Sequence, residues 1–551
     1  MKHYKQYLPY LLGMLLALAI LFWIRWGFLC TGGEYEPDCF FHARIAEQGP
    51  SVFCAKKFPW LTKSSWADTF SDKELGFHFL LWGFIRIGKL FGLTNEYPFH
   101  LQVLFFDAIL LFLFNLLLLR QKIKPAWLYN ILLITAFLPI TYRLLSLRAY
   151  LLSMSLSALI LILFMEKSFR TWRWRFALLG GIGFAASWCY SSPHLLLFMI
   201  LPFVCADFLA DRKWLPLFLT PGSFLAGILL GLTIHPQFPN SFIIFKEQCI
   251  DVILAFFLHV KDIPVMGGNE FYASTLNFIA MGFYGYPLLI LSIIALLVVY
   301  RKQLFQKDWQ KDSIFNGLLL LTIGLTALSY KIFRFTEYSI IPQCFALAVI
   351  LSRIQQGLKA KEPQQQNSSP NSAVRRIGFS TLYASAITAL CAICSYIQIF
   401  NIPSHGMGQY PCVPLADWIE EKNIPKGTII ANTIWSSFPM LYYSLPEYRF
   451  TWGLDPAFSW EKAPDVARLM ADLKSGIIHE PRDYMEVYGT NYFFFYQDEY
   501  REAEHFWKSG FPCIYDNVDG WLFDLSLPQR SNPPPLIMLE IKKNAHKKND
   551  E

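Results

Sequence analysis

Long apolar runs follow one another along most of this chain and are separated by short polar connections. A helix that crosses a bilayer needs about 20 predominantly apolar residues, with a lower limit of about 17. The pattern predicts eleven membrane-spanning helices with boundaries uncertain by several residues. The windows are 8–28, 99–119, 126–142, 149–166, 176–190, 195–210, 214–234, 277–300, 313–329, 338–355 and 377–400.

Segment 76–93, "GFHFLLWGFIRIGKLFGL", is apolar as well but has a different pattern. His78, Trp82, Arg86 and Lys89 recur at helical spacing and fall within one stripe. Such a pattern is typical of a helix that lies in the membrane interface. We therefore predict an interfacial helix here and not an additional span.

The positions of Lys and Arg determine the predicted orientation. With the N-terminus in the cytoplasm, the short cytoplasmic segments hold 20 Lys and Arg residues and the short outer loops hold six. Cytoplasmic loops of membrane proteins carry such an excess of positive charge. The outer regions are then 30–98, the turn "TYRLLSLRAY", 235–276 and all residues after 400, whereas 356–376 is a polar cytoplasmic linker.

Composition supports the membrane class. The 551 residues have a mean hydropathy of +0.33 and are 54% hydrophobic and 16% charged, which is more apolar surface than a soluble protein could hide. The net charge of +7 is concentrated in the cytoplasmic clusters, so we expect no nucleic-acid partner. The first apolar run lacks a small-residue cleavage site and is interpreted as an uncleaved span. We expect a bacterial inner membrane protein, since no eukaryotic sorting signal is recognisable.

The 11 cysteines do not have the spacing of a zinc site. Cys39 and Cys54 share the first outer loop, and Cys412 and Cys513 share the C-terminal region. Disulfides are possible for both pairs in an oxidising compartment, and Cys30 or Cys249 could pair differently.

The last 150 or so residues change character. "GTIIANT", "YRFTWGLD" and "TNYFFFYQD" predict strands, whereas "APDVARLMADLKSG" and "EYREAEHFWKSG" predict helices, and "DNVDGW" has hairpin-turn chemistry. The fold class is therefore a polytopic α-helical membrane protein with a mixed α/β domain at residues 401–551, which the span count places outside the cytoplasm.

Charged residues crowd the first outer loop beside the membrane. "GGEYEPDCFFHARIAEQG" begins at Gly32 and contains Asp38, His42 and Arg44, and "SSWADTFSDKELGFH" follows in the same loop. One interpretation is a hydrated loop whose charges face water. However, the loop is also rich in Phe and Trp and precedes the predicted interfacial helix, which would hold its carboxylates near the lipid headgroups.

The stretch "DCFFHAR" at 38–44 resembles the first acidic motif of the oligosaccharyltransferase catalytic subunits, which belong to the GT-C class of membrane glycosyltransferases. "KELGFHFLLWGFIRIGKLFG" is similar to the helix that follows this motif in the aminoarabinose and protein mannosyl transferase branch. A long first outer loop, many spans and an outer α/β domain agree with that class. The resemblance implies a catalytic membrane region at 1–355, the linker, a last span at 377–400 and the outer domain.

The activity that the resemblance implies is transfer of a sugar or oligosaccharide. The donor would be a polyprenyl phosphate or diphosphate in the membrane, and the acceptor a glycan, lipid or protein outside the cytoplasm. An inverting transfer needs a carboxylate that activates or orients the acceptor, and cations that hold the leaving phosphate. Asp38 would be that carboxylate, and His42 and Arg44 would support it or contact the donor.

Three arginines are candidates for the donor phosphate. Arg334 lies in "YKIFRFTEYSIIP", where the oligosaccharyltransferases carry an arginine at a comparable outer position. Guanidinium groups suit phosphate because they stay charged and bind in two-pronged fashion. The alternative is an arginine paired with Glu337 on the same helix. Arg143 and Arg148 are further candidates, or interfacial anchors beside Tyr142 and Tyr150.

The metal site that the resemblance implies is incomplete in this sequence. The oligosaccharyltransferases have a second acidic pair in a short outer loop, whereas the matching "TYRLLSLRAY" is basic. Asp38 and Glu270 could hold Mg²⁺ or Mn²⁺, which prefer oxygen donors. The alternatives are an exposed loop glutamate at position 270 and a transferase that relies less on metal.

Two residues of the outer domain are candidates for acceptor binding. Trp435 lies where the oligosaccharyltransferases have a Trp-Trp-Asp motif, but "TIWSSFP" lacks the second Trp and the Asp. Asp455 in "GLDP" is either an acceptor contact or a turn residue before proline.

Two other classes of function compete with the transferase. A transporter or flippase would use ionisable residues within spans, of which Asp107 is the main example. A non-catalytic envelope-glycan assembly protein would need far fewer spans for anchorage.

Overall fold

The computed structural model describes residues 4–29, 34, 36–92, 99–166, 168–169, 174–256, 284–305, 309–361, 378–401, 410–459, 462–541 and 544. Helices form most of the chain from Tyr4 to Asn401, and a five-stranded sheet lies in the C-terminal region.

The helices of the N-terminal half are α1 (Tyr4–Leu29), α2 (Asp38–Gln48), α3 (Pro50–Phe53), α4 (Leu75–Leu90), α5 (His100–Arg120), α6 (Ala126–Thr135), α7 (Leu138–Leu144), α8 (Tyr150–Met165), α9 (Arg175–Cys189), α10 (Leu197–Asp211), α11 (Trp214–Ile234), α12 (Asn240–Phe245) and α13 (Val252–Phe256). The C-terminal half contains α14 (Gly285–Val299), α15 (Arg301–Leu304), α16 (Ser313–Lys331), α17 (Thr336–Lys361), α18 (Phe379–Asn401), α19 (Val413–Glu421), α20 (Phe438–Ser444), α21 (Pro464–Lys474), α22 (Pro481–Tyr488) and α23 (Tyr500–Lys508).

Seven helices within the described residues are long and apolar enough to cross a membrane. They are Tyr7–Gly27, His100–Arg120, Pro193–Asp211, Trp214–Ile234, Ser313–Lys331, Phe333–Leu358 and Phe379–Ile397. Each coincides with one predicted window, and together they agree with a polytopic helical membrane protein.

The other four predicted windows contain shorter or bent helices. The window 126–142 contains α6 and α7, which are bent by 97° at the break between them. The remaining three contain α8, α9 and α14, which have 16, 15 and 15 residues. Each of these three is shorter than a typical span, so the count of eleven crossings stays a prediction.

The described residues form two compact units. The first is drawn from residues 1–31, 96–231 and 269–407, and the second from 32–95, 232–268 and 408–551. The second unit therefore combines the first predicted outer loop and part of 235–276 with the C-terminal region. The sequence had suggested 401–551 as a domain by itself.

Glycines bring α9 and α11 of the first unit into backbone contact. A Cβ atom at Gly183 would lie 2.1 Å from the carbonyl oxygen of Phe224, and one at Gly227 would lie 1.9 Å from that of Gly180. Small residues permit such approach between membrane helices. These glycines therefore make this close helix pairing possible.

The sheet of the second unit has the strand order β2-β1-β3-β5-β4. Its strands are β1 (Ile429–Asn432), β2 (Arg449–Phe450), β3 (Tyr492–Tyr496), β4 (Cys513–Asn517) and β5 (Gly520–Asp524). β1 is parallel to β2 and β3, whereas β5 is antiparallel to β3 and β4. The predicted strands, helices and hairpin turn of this region are confirmed, and its placement outside the cytoplasm stays a prediction.

The first predicted loop extends the sheet beyond β2. The backbone N–H groups of Thr62 and Lys63 donate to the carbonyl oxygens of Phe450 and Thr451, both at 2.8 Å, and Phe450 donates to Trp60 at 2.7 Å. Main-chain pairing of this kind covers the open edge of β2.

Among the described residues neither suggested disulfide is formed, and Cys30 lies outside those residues. Cys39, Cys54, Cys412 and Cys513 are all free thiols, and Cys39 is buried whereas Cys54 is exposed. The second unit is therefore held by packing, such as the aromatic core around Phe493, Phe506 and Trp521.

A buried carboxyl group lies beyond the carboxyl end of β3. Glu499 accepts hydrogen bonds from the Thr433 hydroxyl and, at 2.8 Å, from the backbone N–H of Tyr496. Burial raises the pKa of Glu499 to about 8, although both hydrogen bonds act in the opposite direction. The carboxyl group is therefore largely protonated at neutral pH.

We expect stability to fall as the pH rises toward 8, and Glu499→Gln to remove that dependence. The folded chain holds this proton up to about pH 8, whereas an unperturbed glutamate loses it near pH 4.5. Its contribution to stability is complete below pH 4.5 and is lost as the pH rises, by at most about 1.4 kcal/mol per unit. Apparent Tm at several values between pH 5 and 9 measures this. The exposed Glu486→Gln is the control, and an equal pH slope in Glu499→Gln and wild type would contradict the expectation.

Candidate functional site

The motif "DCFFHAR" forms the start of α2. Asp38 is the first residue of the helix and is half-buried, and His42 follows one turn later on the same face. Arg44 lies on another face, where its Nη1 is 2.8 Å from Glu47 Oε2 and its guanidinium lies 5.8 Å from the centre of the Tyr443 ring. The local helix therefore groups Asp38 with His42, whereas Arg44 is held by Glu47 and Tyr443.

His42 belongs to a buried cluster with residues at the start of α4. Its Nδ1 lies 2.8 Å from His78 Nε2 and 3.6 Å from Glu74 Oε2. His42, Glu74, His78 and Asp72 are each at most 6% exposed. Glu74 directly precedes α4 and His78 lies in its first turn, so both side chains reach the same side of the helix.

Asp72 orients His78 from the opposite side of the ring. His78 Nδ1 lies 2.7 Å from Asp72 Oδ2, and Asp72 Oδ1 accepts the backbone N–H of Glu74 at 3.0 Å. Because the carboxylate accepts the Nδ1 proton, the lone pair of His78 Nε2 points toward His42. This carboxylate therefore fixes both the ring plane and the tautomer.

A segment beyond α11 supports the turn that contains Asp72. The backbone N–H of Asp72 donates to Gln237 Oε1 at 2.6 Å, and His235 Nε2 lies 3.2 Å from the Asp72 carbonyl oxygen. The Gln237 amide also donates to the carbonyl oxygens of Val52 and Ala55, at 3.1 and 2.7 Å. Burial lowers the pKa of His235 although Asp72 opposes the shift, so this imidazole is neutral at pH 7.

The first unit contains a second polar cluster, in which predicted phosphate ligands meet. Arg143 Nη1 lies 2.7 Å from Glu337 Oε1, and the two side chains are 10% and 1% exposed. Tyr190 donates to Glu337 Oε2 at 3.5 Å and accepts from Arg334 Nη2 at 2.9 Å. One carboxylate and one phenol therefore link two arginines from distant parts of the chain.

Arg148 joins this group through Tyr150. The guanidinium carbons of Arg143 and Arg148 lie 4.9 and 5.7 Å from the centre of the Tyr150 ring. The Tyr150 hydroxyl donates to the carbonyl oxygen of Arg143 at 3.0 Å. The ring therefore holds two cations beside each other, as an aromatic face does. We name Arg143, Arg148, Arg334, Glu337 and Tyr190 the arginine cluster.

The remaining candidate residues have different outcomes. Trp435 begins a short 3-10 turn after β1 and packs partly buried against the aromatic core of the second unit. Asp455 accepts the backbone N–H of Ala457 at 2.9 Å, which is the turn geometry expected before a proline. Glu270 lies outside the described residues, so the Asp38 and Glu270 metal site is not described.

Sequence reasoning did not identify the roles of Asp72, Glu74, His78 and Gln237. His78 was predicted to lie in a stripe at the interface, but it is 1% exposed. The detectable signal was the spacing of four residues in both Asp38-x-x-x-His42 and Glu74-x-x-x-His78, which places each pair on one helix face. No local signal marked Gln237 or Tyr190.

Among the described residues, one group of His, Cys, Asp and Glu side chains has ligand atoms that could hold a metal ion. It consists of His42, Glu74 and His78. These three ligand atoms lie within 4.8 Å of one another. The arginine cluster, in contrast, has the chemistry of an anion site.

No protein-family model matches this chain, and no curated protein matches it with significant similarity.

Proposed function

We propose that this chain is a GT-C-class glycosyltransferase. It would transfer a sugar or oligosaccharide from a polyprenyl phosphate or diphosphate to an acceptor on the outer face of the membrane. Asp38 would act on the acceptor, and the arginine cluster would hold the carrier phosphate.

The observation that carries the proposal is the arginine cluster. The sequence predicts three separate phosphate ligands, Arg143, Arg148 and Arg334, and side-chain contacts through Tyr150, Glu337 and Tyr190 link all three. Arginines that acted only as independent interfacial anchors would not need to contact the same side chains. Three guanidinium groups and one carboxylate leave a net positive site, which suits a lipid phosphate or diphosphate.

Glu337 keeps the arginine cluster in a defined arrangement when no carrier phosphate is bound. Its carboxylate holds Arg143 in place by an ion pair, with Nη1 and Oε1 2.7 Å apart. An arriving phosphate offers more negative charge and more acceptor oxygens, so it would share the guanidinium groups. Positive charge held at the leaving phosphate lowers the barrier to breaking the sugar–phosphate bond.

Asp38 is the residue we assign to the acceptor. It is half-buried at the start of α2, and a carboxylate there can accept a proton or a hydrogen bond from an incoming nucleophile. His42 follows one turn later and connects this face of α2 to the Asp72–His78 pair. The buried cluster of His42, Asp72 and His78 would keep α2, and therefore Asp38, in a fixed orientation.

A transporter or flippase is the second candidate, and one observation favours it. Asp107 of α5 is buried and interacts electrostatically with Arg25 of α1, which is buried as well. Ionisable residues within apolar helices often mark an ion or substrate path. A transporter would depend on Asp107 and tolerate loss of Asp38.

The test is an activity assay on membranes that contain the full chain. Asp38→Asn and Arg334→Met are expected to abolish formation of the outer-surface glycan that is lost when the gene is deleted, and to leave the polyprenyl-linked sugar unconsumed. A loss of about 100-fold or more is expected from removal of a group that stabilises the transition state.

The control is Asp68→Asn, an exposed carboxylate of the same loop that is paired with Lys462. It should retain wild-type activity, and immunoblots should show equal amounts of each variant. If Asp38→Asn kept full glycan formation and Asp107→Asn lost it, the transferase proposal would be wrong and the transporter would be favoured.

A further inference from the structure

We propose that His42, Glu74 and His78 bind one zinc ion. The inference goes beyond the proposed function, because the site has its own ligands and its own readout. Its chemistry differs from that of the predicted oxygen-ligand site at Asp38 and Glu270 for Mg²⁺ or Mn²⁺, which stays a separate prediction.

The donor atoms have the composition of known zinc sites. Two imidazole nitrogens and one carboxylate oxygen, all within 4.8 Å of one another, form a His₂Glu set. Proteins use this set for zinc and commonly leave the fourth position to water or substrate. Mg²⁺ would be a poor fit, since it prefers oxygen ligands in an octahedron.

The surroundings of His78 are those of a metal ligand. His78 donates its Nδ1 proton to Asp72 at 2.7 Å, which leaves the Nε2 lone pair directed toward His42 Nδ1 and the centre of the cluster. Histidine ligands of zinc typically donate their other ring N–H to a carboxylate in this way. Asp72 is itself held by the backbone N–H of Glu74 and through its own N–H by Gln237.

Charge balance supports a divalent cation. Asp72 and Glu74 place two carboxylates at 3% and 6% exposure beside two imidazoles. The rings of Phe41 and Phe77 pack against these imidazoles, with centroids 5.9 Å from His78 and 5.2 Å from His42. A divalent cation bound between Glu74 and the imidazoles would be close to both carboxyl groups, where the apolar surroundings strengthen the attraction.

To bind the ion, the two imidazoles would have to separate slightly and turn toward a common point. Their facing nitrogens are 2.8 Å apart, whereas two nitrogens on tetrahedral zinc with bonds of about 2.0–2.1 Å lie about 3.3 Å apart. Zinc would then take the place of the proton between His42 and His78. The N-terminal turn of α4 would be tied to α2 by three bonds.

The first experiment measures zinc in the purified full-length protein. The protein is treated with EDTA, incubated with Zn²⁺ and freed of unbound metal. Its zinc content is then measured by elemental mass spectrometry. We expect about one zinc ion per chain in wild type and at least a tenfold lower content in His78→Gln and Glu74→Gln. The control is His479→Gln, which removes a half-buried histidine paired with Asp472 at 2.8 Å and should not change the zinc content.

Asp72→Asn separates orientation from ligation. It keeps all three ligands but removes the carboxylate that orients His78, and loss of such a partner typically weakens metal binding 10–100-fold. We therefore expect the zinc affinity of Asp72→Asn to be about 10–100-fold lower than that of wild type. A competition titration with a chromogenic zinc chelator measures it.

Wild type alone provides a further test in case the variants do not fold. Co²⁺ in a tetrahedral nitrogen and oxygen site gives visible absorption bands, and zinc should displace it while excess Mg²⁺ should not. Zinc should also raise the apparent Tm of EDTA-treated wild type, because a ligand that binds only the folded state stabilises it.

Three outcomes would overturn the site. They are wild type without bound zinc and without a cobalt spectrum, variants that keep the wild-type zinc content, and displacement of Co²⁺ by Mg²⁺. Because none of these measurements uses glycan transfer, a protein that binds zinc but fails the transferase assay would refute the proposed function alone.

Discussion

Gly227→Ala is expected to destabilise the protein by about 1–3 kcal/mol, because the added methyl group has no room. The new Cβ would lie 1.9 Å from the carbonyl oxygen of Gly180, and 2.7 and 2.9 Å from the carbonyl carbon and Cα of the same residue. These atoms are backbone, so a side-chain rotation cannot relieve the contact. The helices α9 and α11 would have to separate.

Gly222→Ala is the matched control on the same helix. No atom lies within 4 Å of a Cβ at Gly222, and alanine favours helix over glycine by up to about 1 kcal/mol. Its thermal stability should therefore equal or exceed that of wild type. The measurement is apparent Tm of the detergent-purified protein by tryptophan fluorescence. Equal Tm values for the two variants would contradict the backbone contact between α9 and α11.

Arg143→Met is expected to lower stability by about 3–5 kcal/mol, because it leaves Glu337 buried without its ion-pair partner at Arg143. Glu337 Oε1 lies 2.7 Å from Arg143 Nη1 in an ion pair, and the Glu337 side chain is only 1% exposed. Removing one partner of a buried ion pair costs more than the intact pair contributes, because the remaining charge keeps its desolvation cost. The double variant Arg143→Met/Glu337→Met should recover most of the loss, since both charges are then absent.

Arg120→Met is the control for the second prediction. Arg120 Nη1 lies 3.7 Å from Glu166 Oε1, with side-chain exposures of 58% and 35%. Exposed pairs of this type contribute at most about 1 kcal/mol, so Tm should change little. A double variant that is no more stable than Arg143→Met would show that these two residues do not interact energetically.

The arginine cluster illustrates how far sequence reasoning reached. Pattern and position identified Arg143, Arg148 and Arg334 one by one, and the alternative for Arg334 was a pair with Glu337 on the same helix. In the structure Glu337 forms an ion pair with Arg143, which is far from it in sequence. Local spacing could predict only the near neighbour, because contacts between distant helices depend on how those helices pack.

The cluster of His42, Glu74 and His78 illustrates the same limit in the second unit. The spacing of four residues placed Asp38 with His42 and Glu74 with His78, but nothing in either motif indicated that the two pairs belong together. The packing of α2 against α4 brings His42 Nδ1 within 2.8 Å of His78 Nε2. The interfacial-helix prediction for 76–93 was right in its helix but wrong about His78, which faces α2 and is buried.

The sequence by itself determined the elements of this protein. Seven apolar helices and the strands of the C-terminal region lie where composition and periodicity predicted them, because helix and strand formation follow from side-chain patterns within a few turns of chain. The tertiary structure alone decided which charged residues meet, how the first loop joins the sheet through Phe450, and where glycine is required. Those features arise between segments far apart in sequence, where the energy depends on packing distance and burial and no local pattern records them.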